Sequence, residues 1–454
     1  MEPSDPSWGT AFPTVLFSLW QHTGKLDAVR AYLDKVVAYV DGLAAAAKAS
    51  GFTKMMAKYA DWFPPPNIAS SRASKPFVST AALVRDVQMT LQMLKVAGDA
   101  ATVARYTALE LWVLSEFNTA WYNATHSTYA NSHQTELSQA VWLGAPPTPA
   151  AGEAVAATLV ERIKGADGGH LSTGIVGTRT LFDALSMSNH TELALTLIRQ
   201  PTYPSYGWMV GNEYEPATTL WEQWDAAMHA VEDYEDASRN HVMFGSVSSW
   251  FWRVLAGITP SSPGFATVRV APLQGASCAF IAKLRDGAAS AATPTTAPPP
   301  PRFESDGQLQ WLSAQMRTVR GFVNVSWRFA HDEKTAMHVN VTMPVTARGV
   351  VALPCAAKNT VSILQRGGDG ADVAVVQIWP PLGLQSTDVD GVGTVAMLED
   401  GSTVEVEVSS GTYNFIIHFE DEPVLESPEA RRLHVHSQNE QHSHLPVKET
   451  ARVV

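Results

Sequence analysis

The segment from Thr218 to Trp224 contains one carboxylate among large aromatic side chains. Glu222 stands between Trp221 and Trp224, after two threonines that are able to cap a helix N-terminus. A glutamate at such a loop edge can act as a general acid or base. On spacing alone, we favour the interpretation that both tryptophans belong to a helix core and that Glu222 only complements the helix dipole. The segment therefore predicts a helix over Thr218 to Val231 and leaves the role of Glu222 open.

The elements that position this segment are predicted to be helical. From the N-terminus to about Gly257, apolar residues recur at helical spacing, and the breaks contain Gly, Pro, Ser and Asn. Several helices are apolar on more than one face, as in stacked antiparallel hairpins that form a toroid or a superhelical array. The predicted helices cover residues 28–49, 80–96, 101–121, 134–143, 151–163, 178–186, 192–199, 218–231 and 246–255.

After Pro263 the sequence changes to short β-rich runs with Gly or Asp at many of the turns. Apolar and polar residues alternate in several of them, as in Met337 to Thr342, which predicts an antiparallel β-sandwich. Residues 286–302, rich in Ala, Thr and Pro, are predicted to form a disordered insertion. Residues 421–454 are predicted to form a disordered polar tail in which the histidines are incidental.

The amino-acid composition limits the classes of molecule that this chain is expected to bind. The chain has 454 residues, of which 45% are hydrophobic and 17% are charged, and its net charge is -12. This balance disfavours nucleic acid and anionic membranes, which bind clustered Lys and Arg, and it favours a neutral ligand. The sequence contains no membrane span and no recognisable signal peptide. Cys278 and Cys355 are compatible with one disulfide or with two buried thiols, and we favour thiols.

Several ordered motifs surround the Trp-Glu-Gln-Trp segment. They are Asp5 to Gly9, Tyr59 to Trp62, Thr173 to Arg179, Tyr203 to Met209 and Ser238 to Val247. Together these motifs resemble the catalytic stretch of the inverting α-L-rhamnosidase family of glycoside hydrolases. The resemblance covers nearly the whole chain except the insertion and the tail, and it also includes 263–265 and 410–413 in the β-rich part.

The resemblance implies both an architecture and an activity. Residues 1–260 are expected to form a partial (α/α)6 six-hairpin toroid, and residues 261–420 an antiparallel β-sandwich. The implied activity is hydrolysis, with inversion, of terminal non-reducing α-L-rhamnose from a glycoside or polysaccharide. This chemistry needs no cofactor, and no metal site is expected. The sequence leaves the oligomeric state open.

The resemblance also implies roles for individual residues. Glu222 corresponds to the general base, which deprotonates the water that attacks the anomeric carbon. His241 is expected to bind a sugar hydroxyl, and Trp8 and Trp62 to offer apolar faces to the sugar. Asp61 is included as a substrate-binding candidate, although it equally suits a turn cap. For His241 and the tryptophans the alternative is a buried structural role, and Trp208 and Trp221 are weaker candidates for the pocket wall.

The sequence departs from the family pattern at its start. In the family the general acid lies in a block upstream of the segment that here begins at Asp5, so we name no general acid and expect a truncated chain. Loss of general acid catalysis lowers the rate by about 10²–10⁴-fold. The alternative function is therefore a non-catalytic carbohydrate-binding remnant. For the full-length form we expect secretion.

Overall fold

The computed structural model describes residues 5–65, 72–228, 237–290, 309–330, 336–356, 359–366, 373–379, 389–399 and 401–419. They divide into two compact units, a helical unit that ends at Trp250 and a β-rich unit that begins at Phe251. The predicted tail and residues 291–302 of the predicted insertion lie outside the described residues. None of the described helices is long and apolar enough to cross a membrane.

The helical unit consists of consecutive helices and one small hairpin. The hairpin pairs β1 (Tyr122–Asn123) with β2 (Thr128–Tyr129). The helices are α1 (Pro6–Gly9), α2 (Ala11–Thr23), α3 (Asp27–Ser50), α4 (Lys75–Ala97), α5 (Ala100–Trp121), α6 (Gln134–Trp142), α7 (Pro149–Lys164), α8 (Ile175–Met187), α9 (Thr191–Arg199), α10 (Tyr206–Gly211) and α11 (Ser246–Trp250).

Helices α2, α4, α6 and α8 form an inner row, in which each helix packs against the next. Most residues of α4, α6 and α8 are buried, and the buried residues lie on all sides of each helix. The flanking helices α3, α5 and α7 bury only one face each and pack against members of this row. A helix that is apolar all round must be enclosed by others, so the predicted pattern of inner helices is confirmed.

Two predicted helices differ from the structure. Residues 218–228 of the predicted helix over Thr218 to Val231 form bends and turns. The predicted helix over 246–255 consists of α11 followed by a π-helical turn, Phe251–Leu255. Because of the first difference, Glu222 lies in a loop and not in the predicted helix.

The β-rich unit contains a six-stranded and a five-stranded sheet. The strands are β3 (Ile258–Pro260), β4 (Thr267–Val270), β5 (Trp311–Thr318), β6 (Gly321–Phe329), β7 (Ala336–Met343), β8 (Arg348–Leu353), β9 (Thr360–Arg366), β10 (Val373–Trp379), β11 (Val392–Met397), β12 (Val404–Val408) and β13 (Gly411–His418). The strand orders are β10-β9-β13-β7-β6-β5 and β11-β12-β8-β4-β3, and all pairs are antiparallel except β4 with β8.

The inner faces of the two sheets meet in an apolar core. Val323, Val325 and Trp327 of β6 are at most 1% exposed and alternate with less buried residues, as the period of a strand requires. Gly349 of β8 lies so close to the side chain of Met343 of β7 that a Cβ atom there would collide with it. A Cβ atom at position 349 would therefore require the end of the Met343 side chain to shift.

A disulfide bond links Cys278 to Cys355, so the prediction of two buried thiols is wrong. Cys278 begins helix α12 (Cys278–Ser290), and Cys355 follows β8, with Cα atoms 5.5 Å apart. The tertiary fold brings together two positions that are 77 residues apart. Helix α12 also extends through 286–290, the first residues of the predicted insertion.

Replacing both cysteines with serine should destabilise the β-rich unit. Closing a loop of this length lowers the entropy of the unfolded chain, which corresponds to a stabilisation of about 4.5 kcal/mol. Urea unfolding followed by circular dichroism should show a lower midpoint for the double variant. Reductant should lower the midpoint of the original chain but leave the variant unchanged. An original chain that is insensitive to reductant would contradict this expectation.

Asp86 of α4 should make the stability of the helical unit pH-dependent. Burial raises the pKa of its carboxyl group from 3.8 to about 7, against the opposing effects of the Thr10 hydroxyl and two arginines. Between these pH values the folded state binds a proton that the unfolded state releases. The free energy of unfolding should therefore fall as the pH rises through this window, by at most about 1.4 kcal/mol per pH unit. Asp86→Asn should show a shallower fall in urea unfolding, and parallel curves would contradict this assignment.

Candidate active site

Glu222 lies in a loop that runs beside a second loop containing His241. The backbone N–H of Glu222 donates to the carbonyl of Ser238 at 2.9 Å, and that of His241 donates to the carbonyl of Leu220 at 2.7 Å. These bonds pair 220–222 with 238–241 and replace the hydrogen bonds that a helix would make within itself. As a result, Glu222 and His241 are neighbours although 19 residues separate them in sequence.

The two tryptophans that flank Glu222 both belong to the core. Trp224 is 1% exposed, packs against Phe244 with ring centroids 4.1 Å apart, and donates from Nε1 to the carbonyl of Thr173 at 2.9 Å. Trp221 is equally buried and lies against Trp208, 6.3 Å between centroids. Their burial holds the loop in place, while the side chain of Glu222 remains 20% exposed.

The carboxylate of Glu222 contacts three groups. The indole Nε1 of Trp62 donates to Oε1 at 3.2 Å, and the backbone N–H of Ser238 donates to Oε2 at 3.4 Å. The Nδ1 atom of His241 lies 3.9 Å from Oε2, and the His241 side chain is 31% exposed. The carboxylate is therefore oriented from both sides and still reaches solvent.

Aromatic rings form one side of this site. Trp8, Tyr59 and Trp62 lie with ring centroids 5.1–6.4 Å apart, and the Trp62 ring is almost perpendicular to the other two. Phe63 lies 4.6 Å from Trp62 on the same side. Trp8 and Trp62 are only partly buried. Exposed indole faces of this kind are suited to the apolar faces of sugars.

Asp5 ties Trp8 to the loop that carries Trp62. Its Oδ1 accepts hydrogen bonds from Ser7 in the first turn of α1, and its Oδ2 accepts the backbone N–H groups of Lys58 and Tyr59 at 2.6 and 2.7 Å. Burial alone would raise the pKa of Asp5, but these hydrogen bonds outweigh it and hold the pKa below its usual value. In the same region Trp8 Nε1 donates to the carbonyl of Ala60 at 3.4 Å.

Asp61 anchors the other side of this loop to the N-terminus of α8. Its carboxylate accepts the backbone N–H groups of Gly174 and Gly177, both at 2.8 Å, and the hydroxyl of Thr135. Burial raises the pKa of Asp61, and the hydrogen bonds only partly oppose this effect. Helix N-termini favour a negative charge because their N–H groups lack partners within the helix.

The same contact requires glycine at two positions. A Cβ atom on Gly174 would collide with the carbonyl of Trp62, and one on Gly177 would collide with Thr135 and Asp61. The backbone N–H of Ile175 donates to that Trp62 carbonyl at 2.8 Å. The glycines of the Thr173 to Arg179 motif thus allow α8 to approach the loop closely.

The sequence predicts one site that includes Glu222, His241, Trp8 and Trp62, and the structure brings these four side chains together. The carboxylate of Asp61 contacts the N-terminus of α8 and does not contact Glu222. Sequence reasoning assigned no role to Asp5 or Ser238. An Asp followed by Pro is a signal for a helix cap, which identifies Asp5, but nothing in the sequence indicates that the N–H of Ser238 would contact Glu222.

Arg239 follows Ser238 in the second loop. Its Nε and Nη2 atoms donate to Oε1 and Oε2 of Glu215, both at 3.1 Å, and its guanidinium group lies over the ring of Trp221, 5.7 Å from its centroid. Among the described residues, no group of three or more His, Cys, Asp and Glu side chains has the arrangement of a metal site. The groups available for chemistry are thus a carboxylate, an imidazole and exposed indole faces.

Comparison with protein families identifies both parts of the chain. Residues 2–255 match the bacterial α-L-rhamnosidase six-hairpin glycosidase domain, and residues 296–367 match the bacterial α-L-rhamnosidase C-terminal domain. The first match covers more than half of the chain. It confirms the family resemblance and the fold class predicted from the sequence.

Individual relatives agree with this assignment. The chain is 31% identical over 277 residues to an α-L-rhamnosidase of Streptomyces avermitilis and 26% identical over 273 residues to one of Formosa agariphila. Each match covers 59% of this chain but only 25% and 28% of those proteins, so the chain spans about a quarter of their length.

Solved structures show the same fold. An α-L-rhamnosidase from Dictyoglumus thermophilum aligns with a TM-score of 0.71 and 27% identity, covering 92% of this chain and 40% of that one. A Streptomyces avermitilis α-L-rhamnosidase complexed with L-rhamnose aligns with a TM-score of 0.68 and 24% identity, covering 90% of this chain and 32% of that one. The match of residues 2–255, more than half of the chain, shows that the chain belongs to the bacterial α-L-rhamnosidase family of six-hairpin glycosidases.

Proposed function

We propose that this chain hydrolyses terminal non-reducing α-L-rhamnosyl residues with inversion and that Glu222 is the general base. The substrate is a rhamnose-containing glycoside or polysaccharide. The observation that carries the proposal is the orientation of the Glu222 carboxylate by Trp62 and Ser238, beside partly exposed aromatic rings. The named activity of the relatives supports the choice of sugar.

Glu222 has the environment that a general base requires. A base must be held in one orientation and must reach a water molecule. Two N–H groups donate to its oxygens, and its side chain remains 20% exposed. In the inverting reaction this water attacks the anomeric carbon opposite the leaving group, which requires a second carboxyl group roughly 6.5–9.5 Å from the base. We assign no described residue to that second role.

Trp8, Trp62 and His241 form the sugar-binding surface of the proposal. The methyl group and C–H face of rhamnose pack on the indole faces, and the His241 imidazole hydrogen-bonds a sugar hydroxyl. His241 lies near the carboxylate and is 31% exposed. The same imidazole can therefore contact both Glu222 and a bound sugar.

Asp61 acts in this proposal as a positioning residue. Both of its oxygens are occupied by groups of α6 and α8, and Trp62, the next residue, is held by the N–H of Ile175. Because Trp62 donates to Glu222, a shift of the Asp61 carboxylate would displace the base. Asp61 thus affects the sugar site through Trp62.

Glu222→Gln should lower kcat for an aryl α-L-rhamnoside by about 10²–10⁴-fold, because an amide cannot accept the proton from the attacking water. KM should change much less. The measurement is release of the aryl group by the full chain and the variant. In the original chain, proton NMR of a fresh reaction should detect the β-anomer of rhamnose first, as inversion requires.

Glu213→Gln is the matched control, since it makes the same change at an exposed position of the same region. It should retain the original kcat. Equal activity of Glu222→Gln and the original chain would exclude Glu222 as the base. No turnover by the original chain, with measurable rhamnose binding, would favour the non-catalytic binding function.

Trp62→Phe should lower kcat by about 10–10²-fold, because it removes the N–H group that orients the Glu222 carboxylate but keeps an aromatic ring. Trp8→Phe is the comparison, since the Trp8 N–H donates to the carbonyl of Ala60 and not to Glu222. That variant should change KM more than kcat. The measurement is the steady-state kinetics of both variants, and equal effects on kcat would argue against orientation by Trp62.

A further inference from the structure

The six-stranded sheet has an outer face that the proposed mechanism does not use. The residues of β6 that alternate with Val323, Val325 and Trp327 point away from the apolar core, and their partners on the neighbouring strands lie on the same face. The register arranges this outer face in four transverse rows. The rows are Trp311, Arg328, His338 and Ile416; Ser313, Ser326, Asn340 and Asn414; Gln315, Asn324, Thr342 and Thr412; and Arg317 with Phe322.

Two aromatic side chains lie at opposite ends of the outer face. Trp311 is 63% exposed and Phe322 is 48% exposed. Trp311 begins β5, and Phe322 pairs with Arg317 six residues further along that strand, so the two ends are roughly 20 Å apart at about 3.4 Å per residue. Exposed aromatic rings are suited to the C–H faces of sugars. Their separation favours an extended ligand of several sugar units over a single small molecule.

Neutral hydroxyl and amide side chains fill the two rows between these rings. Gln315 Nε2 donates to Asn324 Oδ1 at 2.8 Å, and Asn340 Nδ2 donates to Ser326 Oγ at 3.3 Å. These bonds orient the side chains across the strands. Each amide keeps further donor and acceptor capacity, which matches the hydroxyl groups of a carbohydrate.

The charged side chains of the outer face are positive. Arg328 pairs with Trp311 and Arg317 with Phe322, and both arginines are exposed. Neither forms an ion pair with any of the described residues. The four strands β5, β6, β7 and β13 contain no Asp or Glu, although the net charge of the chain is -12. The outer face is therefore complementary to a negatively charged ligand.

The spacing of the charges distinguishes between classes of anionic polymer. A nucleic acid carries a phosphate on every nucleotide and binds to clustered Lys and Arg. The outer face instead has one arginine at each end and neutral groups between them. The carboxylate of a uronate sugar can accept two parallel hydrogen bonds from a guanidinium group, while the sugar hydroxyls meet the amides. These features favour an acidic carbohydrate over a nucleic acid.

We propose that the outer face binds a polysaccharide that contains uronate sugars. Sugar rings pack on Trp311 and Phe322, and uronate carboxylates accept hydrogen bonds from Arg317 and Arg328. The hydroxyl groups bond to the amides of the two middle rows. The outer face shares no residue with the Glu222 site, so this binding goes beyond the proposed hydrolysis and does not depend on it.

The test is isothermal titration calorimetry of the full chain with octagalacturonate. The chain should come from a host without N-glycosylation, because Asn324 and Asn340 lie in sequons. Octagalacturonate should bind about tenfold more tightly than its methyl ester, which keeps the sugar rings but lacks the charges. Saturating L-rhamnose should leave the affinity unchanged, and an oligothymidylate of the same charge should bind more weakly.

Three results would overturn the proposal. The first is absence of octagalacturonate binding. The second is equal affinity for octagalacturonate and either its methyl ester or the oligothymidylate. The third is displacement of octagalacturonate by L-rhamnose, which would place the binding at the proposed sugar site beside Glu222.

Variants assign the contacts. Arg317→Gln and Arg328→Gln should each weaken octagalacturonate binding about threefold to tenfold without affecting the methyl ester. Trp311→Ala should weaken both oligosaccharides by a similar factor, because it removes the ring on which a sugar packs. Arg348→Gln is the matched control, since it removes an exposed arginine from β8 in the other sheet.

Equal weakening by the control and by the two arginine variants of the outer face would overturn the site assignment. Circular dichroism should confirm that each variant is folded. If a variant does not fold, the comparison of ligands on the original chain still decides the proposal.

Discussion

The buried carboxylate of Asp61 connects the helical scaffold to the candidate site. Its two oxygens accept the N–H groups of Gly174 and Gly177 at the start of α8 and the hydroxyl of Thr135 on α6. These bonds satisfy helix donors that would otherwise lack partners. They also fix the next residue, Trp62, whose indole reaches Glu222. One buried group thus links two inner helices to the carboxylate of the proposed base.

The loop between α3 and α4 is held from opposite sides by two aspartates. Asp5 binds the backbone of Lys58 and Tyr59, and Asp61 binds α8. Between them Ala60 has a φ of 56°, a conformation that costs energy for a residue with a side chain. The surrounding hydrogen bonds maintain this conformation. Trp8 and Trp62 consequently present partly exposed rings to the same side of the site.

Much of the architecture was predictable because it depends on local periodicity. The helices that became α3 to α9 were identified within a few residues, since a buried face repeats every three or four positions. Strands such as β7 were found from alternation. The helix predicted over Thr218 to Val231 was wrong in its described residues. There, burial of Trp221 and Trp224 and backbone pairing with 238–241 outweighed local preference.

The sequence by itself determined the family, through ordered motifs, and named Glu222, His241, Trp8 and Trp62 as one group. Only the tertiary structure decided that the Ser238 N–H reaches Glu222, that Asp61 caps α8, and that Cys278 pairs with Cys355. The physical reason is that residue types and local spacing are properties of short segments. Contacts between positions 16 to 113 residues apart depend on how the helices and strands pack.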